Sequence, residues 1–274
     1  MGTFSRSWGL ISESFQVIRK DKKLIVFPIL SGISVLAVAA LYFIPLFQLG
    51  LVRQYTSQHH LDPTAYAWMF LWYCTNYFVI IFFSCALAAC AQIRFSGGEP
   101  TLGAGMSQAS AKLLDIMLWA LVASTVGLII RVIEDRSESV GKIFSSLVGA
   151  AWAIVTYLMV PVIVFEEQNV FAAIKRSSQL LRKTWGEQLT GNIGFGLPFL
   201  ALSIPGILVV FAARTQPLLL GVALLYFLML GALMSAVKGI FAVALYRYAT
   251  QGEAPAGFSK VNLNGAFVDI SDRD

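Results

Sequence analysis

Charge is what this chain has least of. Asp, Glu, Lys and Arg make up 13% of its 274 residues, where a soluble domain carries about a quarter. The shortfall is concentrated. Leu24 to Val52, Pro63 to Ile93, Ile143 to Phe165, Leu189 to Ala213 and Thr215 to Val237 contain no charged residue at all. Each exceeds the roughly 20 residues that cross a bilayer core. A shorter run, Ile116 to Ile130, reaches that length once Leu113 and Ile133 join it, with Asp115 and Arg131 at the two surfaces. One buried core helix can imitate such a run, but six in succession cannot. The reading is an all-α membrane protein with six transmembrane helices, at about 24–52, 63–93, 113–133, 143–165, 189–213 and 215–237.

Histidine and cysteine are scarce too, and that narrows the chemistry. The two histidines, His59 and His60, are neighbours beside Asp62 in one external link. A metal site wants ligands converging from separate elements, so none is expected. Cys74, Cys85 and Cys90 all fall inside the second span without a Cys-x-x-Cys and read as packing residues. There is no Gly-x-Ser-x-Gly, no embedded base and no phosphate-binding glycine loop. The span interiors also lack ionisable residues, which disfavours a proton-coupled carrier. The expectation is no catalytic residue, no cofactor and no enzyme activity.

The charge that is present carries orientation. Fifteen of the 20 Lys and Arg residues fall on alternate segments beginning with the N-terminus, which makes both termini cytoplasmic by the positive-inside rule. The net charge of +5 is thereby a topology signal, and no nucleic acid is implied. A polar lead of 23 residues before the first span argues against a cleavable signal. Residues 1–252 read as the membrane domain and 253–274 as a cytoplasmic tail.

Interfacial helices are written between the spans on the cytoplasmic side. Over 4–20, Phe4, Trp8, Ile11, Phe15 and Ile18 form one stripe. Over 170–187, Val170, Ile174, Ser177, Leu181 and Trp185 oppose Lys175, Arg176, Gln179, Arg182 and Lys183. That is the pattern of a helix lying in the headgroup layer. Trp8, Lys175, Arg176, Arg182, Lys183 and Trp185 are therefore the expected lipid or partner surface. A weaker stripe, Leu102, Met106, Ala109 and Leu113, leads into span three. Small residues at four-residue spacing, Gly149 with Ala153 and Gly231 with Ser235 and Gly239, read as helix-packing faces. Span five holds Gly191, Gly194, Gly196, Pro198, Pro205 and Gly206, a density expected to break it near mid-membrane.

Three out-and-back pairs of spans, each led by a cytoplasmic amphipathic segment, raise three helical-hairpin repeats as an expectation. Several short motifs stand at helix ends: Trp8 with Arg19-Lys20-Asp21-Lys22-Lys23-Leu24 and Pro28; Pro161 with Glu166; Ser177 to Trp185-Gly186; and Phe241 through Ala244-Leu245-Tyr246-Arg247-Tyr248. On these the chain resembles an uncharacterised family of bacterial six-span membrane proteins. That family is similar to the membrane domain fused to some glycerophosphodiester phosphodiesterases. The resemblance implies a prokaryotic inner-membrane location and transfers no catalytic residue.

Two functional classes stay open. One is a non-enzymatic component that interacts with membrane lipids, anionic ones above all, or serves as a scaffold for other membrane subunits or for itself. The other is a small-solute channel along the broken fifth span, with Asn76, Gln92 and Asn192 lining a polar path. The scarcity of polar residues in the spans favours the first.

Overall fold

The computed structural model describes residues 3–48, 63–136, 139–185, 196–213, 216, 218–259 and 263, and every regular element among them is helical. In chain order these are α1 (Thr3–Lys20), a 3-10 turn (Lys22–Ile25), α2 (Val26–Gln48), α3 (Pro63–Phe95), α4 (Leu102–Ala111) and α5 (Leu113–Arg136). Then come α6 (Ser139–Val155), α7 (Met159–Phe165), α8 (Val170–Trp185), α9 (Gly196–Ala212) and α10 (Leu218–Gln251). By length and hydropathy, five described segments are able to cross a membrane: Lys22–Pro45, Ala67–Phe95, Leu113–Glu134, Phe144–Phe165 and Leu218–Gln251. The chain is a multi-pass membrane protein.

The fold is built around α3 and α10. At 1.5 Å per residue each is about 50 Å long, well beyond a hydrocarbon core of about 30 Å, so part of each must stand outside the apolar layer. Cys85 to Ala91 of α3 is buried without interruption, as is most of Ala236 to Leu245 on α10. Small side chains let α2, α4, α5, α7 and α10 all approach α3. The three cysteines are free; Cys85 and Cys90 are buried in this packing, and the half-buried Cys74 has its Sγ 3.0 Å from Ser124 Oγ. The charge-free run of span six was read as 215–237, and helix α10 continues beyond it to Gln251, with Lys238 exposed on its surface.

Local chemistry explains the joints. Asp21 caps the 3-10 turn, its carboxylate accepting from the Lys23 N–H at 3.2 Å. The end of α3 is a Schellman motif: the Gly98 N–H donates to Ile93 O (3.0 Å) and the Gly97 N–H to Arg94 O (3.1 Å). Gly97 has φ +84°, the left-handed conformation that motif requires. The Thr101 hydroxyl then caps α4 by accepting from the Ala104 N–H at 3.1 Å.

Several expectations change shape here. Pro45 lies inside α2, which runs on to Gln48. The buried arc of α1 is Ser14, Val17 and Ile18, and Phe15 is 40% exposed. On α4 the inward face is Gly105 with Ala109, while Leu102 is exposed; close backbone approach, not the apolar stripe, decides how α4 docks. From Gly196 the fifth span is one helix that includes Pro205, and beside it Gly206 makes room for the Tyr226 and Phe227 rings of α10. Gly191, Gly194 and Asn192 lie outside the described residues. The start of the tail belongs to the bundle: Phe258 is buried between Phe95 and Phe241, ring centroids 5.9 and 6.5 Å away.

The small-residue ladders divide as well. A Cβ at Gly239 would stand 2.6 Å from Leu87 Cδ2, so Gly239 is a packing residue. Gly149 has only Ile130 Cγ2, at 3.9 Å from such a Cβ, and Ala153 is exposed. Gly231 would meet nothing within 4 Å, and Ser235 is exposed. That ladder turns outward over most of its length, because α10 presents its Leu230, Met234 and Val237 face to the core instead. At Gly105 the close neighbour is backbone: a Cβ would fall 2.8 Å from the Ala86 carbonyl oxygen. Backbone cannot yield as a side chain can. Gly105→Ala is expected to destabilise by about 1–3 kcal/mol, read as a lowered Tm in detergent. Gly231→Ala is expected to leave Tm unchanged or slightly higher. Equal melting of the two variants would refute this packing.

Candidate functional site

The site begins with a break. Span four, read as 143–165, is interrupted within those bounds: α6 stops at Val155 and the helix resumes as α7 at Met159. Proline at 161 has no N–H for the Tyr157 carbonyl, and its ring crowds that oxygen. The ladder tightens instead: the Tyr157 N–H donates to Ile154 O (3.1 Å) and the Met159 N–H to Thr156 O (3.0 Å). The Val155 carbonyl and the Leu158 N–H are thereby left over. One buried hydroxyl serves both. Ser177 of α8 donates to Val155 O at 2.7 Å and accepts from the Leu158 N–H at 3.2 Å.

That contact fixes the register of α8, whose first turn is capped by Asn169 Oδ1 accepting from the Ala172 N–H at 2.8 Å. Val170, Ala173, Leu180 and Leu181 are buried against the bundle. The helix was expected to sink Leu180 and Leu181 into lipid. Protein covers them, because the broken span and α10 offer a matching apolar surface. Phe171 is the large apolar side chain that faces out, 74% exposed.

Beside Ser177, Arg176 meets Glu166, the residue that ends α7. Arg176 Nε lies 3.0 Å from both carboxylate oxygens. The Tyr246 hydroxyl donates to Glu166 Oε1 at 3.0 Å and Gln168 Nε2 donates to Oε2 at 2.9 Å. Lys112 Nζ reaches the Glu166 backbone carbonyl at 3.4 Å. The Phe165 ring stands 5.4 Å from that of Tyr246. Glu166 therefore joins four parts of the fold: its carboxylate links α7 to α8 and α10, and its backbone carbonyl reaches the α4–α5 corner. Glu167, next in sequence, is exposed. Sequence reasoning gave Glu166 a helix-end role and missed Tyr246, Gln168 and Lys112. Nothing in their spacing reveals a shared partner, since Tyr246 is 80 residues away.

On the outer side of this junction, α8 and the end of α10 enclose a groove of about 430 Å³ lined by Arg176, Gln179, Arg182, Lys183 and Thr250. Arg182 and Lys183 are exposed and have no ion-pair or hydrogen-bond partner among the described residues. Of the expected surface, the structure thus brings together Arg176, Arg182 and Lys183, while Lys175 is exposed outside the groove. Trp8 and Trp185 fall in α1 and α8, their side chains outside what is described.

The expected polar path does not assemble. Asn76 and Gln92 both stand on α3, 16 positions apart, which at 1.5 Å and 100° per residue puts them about 24 Å apart and on nearly opposite faces. Asn76 spends its amide on the Trp72 carbonyl at 2.8 Å. His59 and His60 lie outside the described residues, and no group of three metal-ligating side chains occurs among those described.

A family model described as a family of unknown function (DUF6159) matches residues 64–258, which is most of the chain. The chain belongs to that family. No curated protein and no solved structure matches it. The match begins with α3 and takes in the broken span, the Glu166 junction and both walls of the groove.

If the junction acts as a unit, its members are coupled. Glu166→Ala is expected to cost about 2 kcal/mol, since it strands the Tyr246 hydroxyl and the Arg176 guanidinium together. In a double-mutant cycle, Glu166→Gln and Tyr246→Phe are expected to couple by about 1 kcal/mol, measured by reversible denaturant titration in mixed micelles. Strict additivity would mean that each side chain acts alone.

Proposed function

We propose that this protein is a non-enzymatic membrane component that holds anionic lipid headgroups in the basic groove between α8 and the end of α10. The observation that carries the reading is the groove itself: three cations converge on it, and Arg182 and Lys183 have no counter-charge among the described residues. Each cation near an anionic leaflet adds about 1 kcal/mol of attraction. Arg176 is held in place by Glu166 and extends the positive wall. The same surface suits a scaffold or accessory role, in which the protein gathers lipid around neighbouring subunits.

Support for the orientation comes from where the cations gather. Lys20 and Arg94 line one groove, Arg247 reaches Ser96 Oγ at 3.4 Å, and Lys112 and Arg176 meet at Glu166. All are linked at one end of the bundle. Arg131 bonds Tyr73, which is about 30 Å along α3 from Arg94. By the positive-inside rule the crowded end is cytoplasmic, in a prokaryotic inner membrane with both termini inside. Six spans follow if α9 crosses as well; at about 26 Å it is nearly long enough, and its Leu200, Ile204, Leu208 and Phe211 are exposed as lipid-facing side chains would be. Three hairpin repeats remain compatible with that count.

Two experiments test this reading. Arg182→Gln with Lys183→Gln leaves the Arg176–Glu166 pair intact. In nanodiscs this double variant is expected to keep its Tm in phosphatidylcholine but to lose the added stability that phosphatidylglycerol gives the parent, most clearly at low salt. Parent-like behaviour in both lipids would leave the groove as a topology anchor only. For orientation, single cysteines at Ser57, Ser137 and Ser178 are placed in a background without the three native cysteines. The first two are expected to react with an impermeant maleimide in sealed cells, and Ser178 only after permeabilisation. Labelling of Ser178 from outside would invert the topology.

A further inference from the structure

A second groove opens at the same end of the bundle, built from different elements. It has a volume of about 210 Å³ and is lined by Gln16, Val17 and Lys20 of α1, by Arg94 and Gly97 at the end of α3, and by the turn at Gly257. Arg94 is half-buried, yet neither it nor Lys20 has an ion-pair or hydrogen-bond partner among the described residues. A cation drawn partly out of water calls for a counter-charge. Both residues stand in last turns of helices, where the C-terminal dipole offsets some of their charge. It gives neither side chain an acceptor at hydrogen-bond distance.

The rim is shaped for close approach. Gly97 and Gly257 have φ +84° and +97°, a backbone region that side chains disfavour. A Cβ at Gly97 would meet nothing within 4 Å, so the space beside Arg94 is open, and one at Gly257 would touch Val17 Cγ2 at 3.6 Å. The floor at Val17 is buried and apolar, leaving polar groups on the walls alone. Arg94 presents a planar fork of N–H groups, Lys20 a compact charge and Gln16 a neutral amide donor.

We propose that this groove binds a phosphate group, held by Arg94 and Lys20 at the corner where α1, the α3–α4 turn and the C-terminal segment meet. A bound phosphate fastens α1 to α3 by charge in addition to apolar contact. The site shares no residue with the α8 groove, so the two proposals stand or fall separately.

The test uses the full chain in nonionic detergent, with Lys20→Gln/Arg94→Gln compared with the parent and with Arg182→Gln/Lys183→Gln. Short-chain phosphatidylglycerol is titrated and counted by native mass spectrometry, and inorganic phosphate is titrated by equilibrium dialysis. The Lys20/Arg94 variant is expected to bind one fewer phosphate-bearing ligand, with about tenfold weaker affinity at that site. The Arg182/Lys183 variant is expected to retain it. Loss of the lipid alone identifies a headgroup, and loss of inorganic phosphate as well identifies the free ion as sufficient. Should the double variant fail to fold, Arg94→Lys keeps the charge without the fork, and a several-fold loss is expected. Parent-like binding of both probes by the folded variant overturns the proposal.

Discussion

A backbone polar group in an apolar layer must find a partner inside the protein, and the Ser177 hydroxyl meets that demand at the break in span four. Pro161 makes the break, and Val155 O and the Leu158 N–H are the groups it leaves over. Because one side chain from α8 serves both, α8 cannot slide without exposing them. Arg176 then follows by geometry. Consecutive helical residues point about 100° apart, so fixing Ser177 inward turns Arg176 to the side, where Glu166 waits at the end of α7. The groove at Arg182 and Lys183 lies roughly two turns further along the same helix. A proline in one span thus sets the position of a charged surface on the next element.

Burial is distributed to match that arrangement. The deepest packing joins Cys85 to Ala91, Leu158 to Ile163 and Ala236 to Leu245 with α1, α4 and α8 at the basic end. Towards the other end, Leu41, Leu147, Leu208, Leu218 and Leu225 are more than half exposed, although α2 and α3 still meet there through Tyr42 and Trp68. Exposed leucine in such numbers is costly in water and costs nothing against lipid tails. Aromatic rings close the deepest packing where chain segments end: Phe258 between Phe95 and Phe241, and Phe165 against Tyr246.

Much of this was legible from the pattern of charge. Absence of charge marked the apolar helices, and the acidic and basic residues at their ends marked corners that the structure also has, at Asp21, Lys112 and Glu166. Helix α8 was legible as well, since its two faces differ so sharply. What covers the apolar face was not. A stripe such as Val170, Ala173 and Leu181 suits lipid or protein equally, and the choice depends on whether another element offers a surface to it. The ladder through Gly231 and Ser235 shows the same limit. Small residues permit close approach without requiring it, and α10 turns a different face inward. Gly105 and Ala109 have the same four-residue spacing and do face inward, but the close contact of Gly105 with Ala86 O depends on where α4 lands after the turn at Gly97. The Glu166 junction needed Lys112 and Tyr246, 54 and 80 residues away, and no spacing rule reaches that far.

Positive charge at one end of a membrane protein has two uses, orientation and recognition, and composition alone does not separate them. Partners do. Among the described cations, Lys112, Arg131, Arg176 and Arg247 each bond a named group, so part of their charge serves the fold. Lys22, Lys23, Lys175 and Lys238 are exposed to solvent with nothing to hold, which is all that a topology signal requires. Lys20, Arg94, Arg182 and Lys183 differ from both sets. They have no partner among the described residues, yet they stand around concave surfaces whose other walls, Arg176 apart, are apolar or neutral. At the half-buried Arg94 those walls limit the water available to screen the charge. An anion entering either groove would be attracted more strongly than at an open lysine. The concave setting, more than the count of positive residues, is what argues for a bound anion at this surface.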